Sequence, residues 1–417
     1  MNIVKNGYIV DNLNNTVIDK AKHEVHQNAF GKFSLNDLTK IFNQWIITPV
    51  FRLFLLDDDE RIIKDISPDF ISGDLSCTYQ SGKRRTLNIS LLNGHGQYTP
   101  HGKNYSIYLG CKFRLDAGVL IDDTIYWFQQ GIFLLQDPMQ SSNDSDQTVA
   151  FNLHDKFSLF DGTVNGTTYL KTILPVDVPM RQAFINIISA NAGNGKPFDC
   201  KPLIFNSQYT DVKTQKTIRQ DFGSNLGDIL IDCANTISSD VYYNVYGNMT
   251  VENNVNQFLN GNFPMIFRLS DEDRIVRDHS LNYNWSKLRN KIIVKGAIVN
   301  GYQFSGSAEN NNILSPFNVK NRKISLRAET ISDSKLYSDS LCKEKAMYTL
   351  IERQRGVKTL NLSTGYLPFI DVNQSFAVTF ADLQLDNENF IIDSFNMSIS
   401  SEPSMSVSLS NIGEVVF

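Results

Sequence analysis

At 417 residues, with 41% hydrophobic and 20% charged residues, the chain is too long for one ordinary core and suits two to four compact domains rather than a disordered polymer. Its net charge is −5 and its Lys and Arg residues form no extended basic stripe, which speaks against phosphate tracking and against a polybasic membrane patch. No apolar run approaches the roughly 18 residues of a membrane span, and the first residues lack a signal-peptide core, so a product made in a cytoplasm without a membrane anchor is expected.

Residues 1–50 read as an N-terminal extension. After a short polar stretch, Ser34 opens a capping-box-like segment, and Leu35, Leu38, Ile41, Phe42 and Trp45 share one face at helical spacing before Pro49. From Phe51 the period changes to two. Short apolar runs at 51–56, 74–79, 85–92, 108–115, 123–128, 131–135 and 148–153 are separated by Gly, Asn and Asp turns, which predicts an antiparallel β domain over 51–165.

Over 166–265 the pattern is mixed. Met180, Ala183, Phe184, Ile187 and Ile188 trace a helix face behind Pro179, and Leu226, Ile229, Leu230, Cys233 and Ile237 trace a second that starts near Ser224. Asp240–Val251 then reads as a hairpin turning at Gly247-Asn248, giving a small α+β insertion. The last block, 266–417, is a second β domain. Tyr283, Trp285, Leu288, Ile292 and Val294 describe a turn running into a strand, with a polar loop at 305–316 and a helix at 332–354 that starts at Ser332-Asp333 and carries Tyr337, Leu341, Tyr348 and Ile351. Strands at 357–362 and 373–380 follow. The end is a hairpin: Phe390, Ile392, Phe395, Met397 and Ile399 alternate before Glu402-Pro403-Ser404, and Met405, Val407 and Leu409 alternate after it.

Several of these segments together resemble the hub proteins of phage tails and baseplates. They are a basic residue, Arg85, on the strand of Leu87, Ile89 and Leu91; the turn Asn93–Pro100; the strand Phe113–Gly118; and Gly131-Ile-Phe-Leu-Leu ending at Pro138. Tyr283, Trp285, Asn290, Ile292, Val294 and Gly296 match a further hub segment, as do Arg353, Leu367-Pro368 and Val378, and the Met405-x-Val407-x-Leu409 strand that closes the chain. At Val372-Asn373 the usual Gly-Asp is replaced. The resemblance implies a mainly β fold with two tail-tube-like antiparallel β-barrel domains, a smaller α/β insertion and an N-terminal helix. It also implies a homotrimer that joins the tail tube to a central spike or tip and lines the DNA channel. Implied partners are the tail tube or distal tail protein, the tape measure protein, the spike or tip protein and other baseplate proteins, with DNA passing non-specifically. The location would be the virion, with assembly in the host cytoplasm. Because the chain stops at Phe417, any lysin is expected to be a separate protein.

The residues themselves offer little chemistry. Asp57-Asp-Asp-Glu60 lacks calcium-loop spacing and reads as a solvated hairpin tip. His95 and His101 flank a Gly-rich turn with Tyr98 and have no paired carboxylate; Asp271, Glu272, Asp273 and Asp278 read as surface charges rather than a glycosidase pair. Cys77, Cys111, Cys200, Cys233 and Cys342 have no CxxC spacing and read as small buried fillers in a reducing compartment. Tyr242, Tyr243 and Tyr246 read as a strand with one face in a core and the other at an interface. The expectation is a non-enzymatic protein with no catalytic residues, metal or cofactor. The alternatives are a carbohydrate-binding or depolymerase tail protein, and a single-barrel distal tail protein.

Overall fold

A computed structural model describes residues 2–5, 8–11, 16–20, 23–26, 48–100, 107–121, 123–142, 147–168, 172–207, 211–214, 217–253, 265–270, 275–313, 315, 317–318, 320, 325–355 and 357–411. The helix expected at 34–47 lies outside them, as do His101 and Asp271–Asp273. Residues 2–26, expected as a polar lead-in, instead supply four short strands, β1 (Asn2–Lys5), β2 (Tyr8–Asp11), β3 (Thr16–Lys20) and β4 (His23–His26). The sequence there alternates too briefly to declare itself. Neighbouring strands complete it.

The first β unit contains β5 (Thr48–Leu56), β6 (Ile62–Asp65), β7 (Phe70–Thr78), β8 (Arg85–Leu92), β9 (Lys112–Ile121), β10 (Thr124–Ser142) and β11 (Gln147–Asp155). Its antiparallel neighbours run β6, β5, β9, β10, β11, β8, β7, while β1 and β4 add parallel partners to β5 and β10. The two runs expected at 123–128 and 131–135 are one long strand, β10. A register shift between Gln129 and Gly131 lets the strand bend without ending, and Gly131 sits at φ 153° where a Cβ would meet the Phe133 ring at 2.8 Å.

The insertion holds β12 (Thr172–Leu174), α1 (Met180–Ile188), β13 (Ile204–Asn206), β14 (Ile218–Gln220), α2 (Leu226–Thr236), β15 (Asp240–Tyr243) and β16 (Met249–Glu252). Met180, Ala183, Phe184, Ile187 and Ile188 of α1 and Leu226, Ile229, Leu230 and Cys233 of α2, with Ile237 just beyond it, are all buried, in a core shared with Phe157 and Phe160 at the end of the first unit.

The last block holds β17 (Met265–Ser270), β18 (Val276–Tyr283), β19 (Lys291–Val299), β20 (Tyr302–Glu309), β21 (Ala328–Ser332), α3 (Asp339–Gln354), β22 (Lys358–Thr364), β23 (Ser375–Phe380), β24 (Leu385–Ile399) and β25 (Met405–Asn411). The helix begins at Asp339, later than the predicted 332. Ser338, whose hydroxyl accepts from Leu341 N, is the cap, and residues 328–332 are drawn into β21 by parallel pairing with β19. The expected polar loop likewise gives up 305–309 to β20. There Gly306 lets the α3 backbone approach so closely that a Cβ would stand 2.2 Å from Lys343 N. A separate small core of Ile292, Val294, Leu336, Cys342, Ala346 and Leu350 lies between α3 and β19–β20.

The two β units are fused. β24 pairs with β25 on one edge, and on the other with β23 and then β7, in a register running from Ser394 opposite Thr78 to Ile399 opposite Gly73. The result, among the described residues, is one sheet of 17 strands. The skip in the terminal pattern from Ile392 to Phe395 marks a bulge: the register shifts between Ile392 and Ser394, which keeps Phe390, Ile392, Phe395, Met397 and Ile399 all buried. A single core spans both units, with the Tyr366 ring edge-on to Phe51 at 5.5 Å and Phe369 against Phe128 at 5.9 Å. Gln130 Nε2 also donates to Pro368 O at 2.7 Å, so the 366–370 segment ties the second unit onto the first.

Candidate functional site

The densest polar feature is a buried network where the first β unit, the insertion and the last block meet. Three ion clusters compose it.

Lys156 forms the first. The residue is fully buried, and burying an ammonium is tolerable only when its donors are filled. Its Nζ contacts Glu60 Oε1 at 2.5 Å, Asp199 Oδ1 at 2.9 Å and Gly247 O at 2.8 Å. Lys201 Nζ holds the other Glu60 oxygen at 2.6 Å, and Tyr243 donates its hydroxyl to Asp199 Oδ2 at 2.8 Å. Burial alone would raise the Glu60 pKa, but Lys156, Lys201 and Lys112 outweigh it and hold the carboxyl below its ordinary range. The hairpin tip is therefore only partly solvated. Asp58 and Asp59 are exposed, whereas Glu60, at φ 66°, turns inward to a side-chain exposure of 3%. Four adjacent acids had one set of nearby cations to share, and three of those cations lie 52 to 141 residues further along the chain, invisible to local reading.

Asp155 organises the second cluster. It accepts from Arg84 N at 2.7 Å, Arg85 N at 2.9 Å and, as a helical-turn cap, Phe157 N at 3.0 Å. Burial raises its pKa against these three donors. The Arg85 guanidinium reaches Asp371 and, at 3.1 Å, Tyr243 O, so the one basic residue that the sequence singled out on β8 joins all three parts of the chain. Burial works against its charge, and Asp371 more than compensates, raising its pKa.

The third cluster stacks cations on rings. Arg84 lies 3.4 Å above Tyr242 and 3.7 Å from Asp240; Tyr79 donates to Asp240 at 2.6 Å; and Arg355, 4.4 Å over Tyr79, pairs with Asp393 at 2.6 Å. Asp393 is the bulge residue of β24. Its carboxylate also accepts from Ser410, and its carbonyl from Tyr79 N at 2.7 Å.

Two of the three stripe tyrosines are thus spent inside the chain, and Tyr246 is half-buried. Tyr243 lies in the insertion core, and Tyr242 presents its other face to the first unit, with its hydroxyl on Glu252 at 2.7 Å. His95 is exposed, Tyr98 is buried and donates to Asp69, and Asp278 is an exposed residue whose carboxylate accepts from His279 N. No group of three or more metal-ligating side chains is gathered among the described residues. Cys77, Cys111, Cys233 and Cys342 are buried as expected, whereas Cys200, expected to be buried with them, is exposed; all are free thiols. At Asn373, which with Val372 replaces the usual Gly-Asp and stands in the Asp position, φ is 65°, a conformation that Asn tolerates better than most residues.

Chemically the network is a clamp. Its carboxylates are filled by fixed guanidinium, ammonium, hydroxyl and amide donors, which fixes orientation rather than leaving an acid or base facing an open cleft.

A family model for a domain of unknown function, DUF5048, matches residues 314–414. No curated protein sequence matches the chain. Among solved structures, the chain is similar to the 43 kDa tail protein of prophage MuSo2 from Shewanella oneidensis, with a TM-score of 0.56 at 12% identity over 88% of this chain and 99% of that one. It is also similar to the tail protein from Neisseria meningitidis MC58, at TM-score 0.55 and 8% identity over 87% and 98%. A chain of the Francisella PdpA–VgrG complex matches at TM-score 0.52 and 10% identity, over 90% of this chain and 60% of that one. The fold is mainly β and is shared with phage tail proteins, as the sequence motifs implied.

Proposed function

We propose that the chain is a structural, non-enzymatic hub of a phage tail tip or baseplate. Three copies form a ring, each contributing two β units, so that six units face the tail tube above while threefold symmetry meets a spike or tip below. The observation that carries this reading is the antiparallel junction of β7 with β24, which already joins two β units edge to edge within one chain. The same kind of junction between copies would close the ring. Among the described strands, β6 pairs only with β5 and β18 only with β22, and the strand β6 is exposed along its length, with Ile62 at 51% and Ile63 at 62%. Open edges of this kind invite pairing, and closure removes them.

The clamp fits this role, because a ring under load needs its units held at fixed angles. In this reading the neighbours are the tube or distal tail protein, the tape measure protein and the spike or tip protein, and DNA passes through the bore without specific contact. The net charge of −5 suits a channel that must not retain DNA. Light scattering of the purified chain tests the copy number. A mass three times 47.2 kDa is expected, and a strict monomer at every concentration would count against the ring.

A further inference from the structure

Two residues of the hub-like motif do not serve the fold. Asn290 is fully buried, exchanges backbone and side-chain hydrogen bonds with Arg327 and donates to Ser325 O, while Ile292 and Val294 fill the small core and a Cβ on Gly296 would strike Leu336 O at 2.6 Å. Tyr283 and Trp285, by contrast, are 57% and 64% exposed. They are nonetheless held in place. Their rings pack edge to face at 6.3 Å, the Trp285 carbonyl accepts from Arg327 Nη1 at 2.6 Å, and Asn284 N donates to Val357 O at 2.7 Å.

Through Ser286 this pair adjoins a groove of about 430 Å³ lined by Ser286, Lys287, Arg289, Glu329, Glu352, Arg353 and Arg355. Four cations and two carboxylates line it; Glu329 pairs with Arg289 at 3.5 Å and Arg355 with Asp393 beyond the lining, so the positive charge left over is that of Lys287, in a chain whose overall charge is negative. Glu329 is engaged bidentately by Arg353 at 2.8 and 2.9 Å, and burial raises the pKa of Glu352. Lys287 is exposed, with no ion-pair partner among the described residues. Rigid exposed aromatics beside a surplus of positive charge are the composition of a protein-binding hot spot whose partner is acidic.

We propose that Tyr283, Trp285, Lys287 and the adjoining groove form a docking site for an acidic peptide segment of a partner protein, with apolar side chains of that segment seated on the two rings. The site does not depend on how many copies the chain assembles.

The test uses the full chain and three fluorescein-labelled octapeptides that alternate leucine with glutamate, serine or lysine, followed by anisotropy. Saturable binding of the glutamate peptide alone is expected. It should weaken by roughly tenfold or more in Lys287→Glu and in Trp285→Ala, the loss typical of a central contact. Both variants should keep the parent's melting temperature and solution mass, since neither side chain is buried. Equal binding of the three peptides, no saturable binding of the glutamate peptide, or its undiminished binding in both variants would overturn the proposal. Displacement of the glutamate peptide by an N-acetylglucosamine tetramer, with direct sugar binding lost in Trp285→Ala, would assign the rings to carbohydrate and overturn it equally.

Discussion

Replacing Lys156 with Met should loosen the insertion from the sheet. The side chain is fully buried between Glu60 and Asp199, at 2.5 and 2.8 Å, and Met fills similar volume without the charge. Glu60 would keep Lys201 at 2.6 Å and Lys112 at 3.3 Å, while Asp199 would keep only neutral donors such as the Tyr243 hydroxyl. Leaving a buried charge without its partner costs about 3–5 kcal/mol. Urea unfolding, followed by intrinsic fluorescence, should show that loss near neutral pH. The exposed pair Lys196–Asp58 supplies the control, because both side chains are 61% exposed and solvent screens their attraction, so Lys196→Met should leave the urea midpoint nearly unchanged. The pH dependence follows from Glu60. Its folded pKa is depressed, so its stabilisation is present above the unfolded value of 4.5 and is lost as pH falls through the folded one. The gap between wild type and Lys156→Met should therefore shrink below pH 4.5. Adding Asp199→Asn should recover part of the loss, since it removes the stranded charge. A cost under about 1 kcal/mol for Lys156→Met, or a gap that widens in acid, would refute the clamp.

Three further outcomes follow from the geometry. Gly306→Ala places a Cβ against the α3 backbone and should lower stability by about 1–3 kcal/mol in thermal melting, with the small α3 core affected first. Asn373→Val should be about 1–2 kcal/mol less stable than Asn373→Gly in the same assay, because φ is 65° there and a β-branched residue resists it. Ellman's reagent should modify Cys200 in the native chain and spare Cys77, Cys111 and Cys233, whose thiols burial pushes up to about 12; peptide mapping that finds any of these three modified first would contradict their placement.

Much of the fold was legible because its elements bury one face at a regular period. The α1 and α2 faces and the terminal hairpin needed nothing beyond local spacing, although the alternation read there passes over the bulge at Asp393, which only the strand pairing shows. What stayed hidden is non-local. The edge pairing of β7 with β24 joins residues more than 300 apart and leaves no trace in either strand's own alternation. The start of α3 was misplaced because Ser332-Asp333 and Ser338-Asp339 are equally good caps, and only the pairing of β21 with β19 decides between them. The clamp was half visible. Arg85 stood out on its strand, whereas Glu60 looked like one more solvated acid and Lys156 and Asp199 carried no local signal, since their partners come from three separate parts of the chain.

The ring itself is tested most directly by cryo-electron microscopy of a tail particle containing this chain. The account predicts three copies around a hollow axis, with six β units forming a continuous wall and the β7–β24 junction alternating with junctions between copies. A single copy on the axis, or copies attached outside the tube with their sheet edges apart, would contradict it.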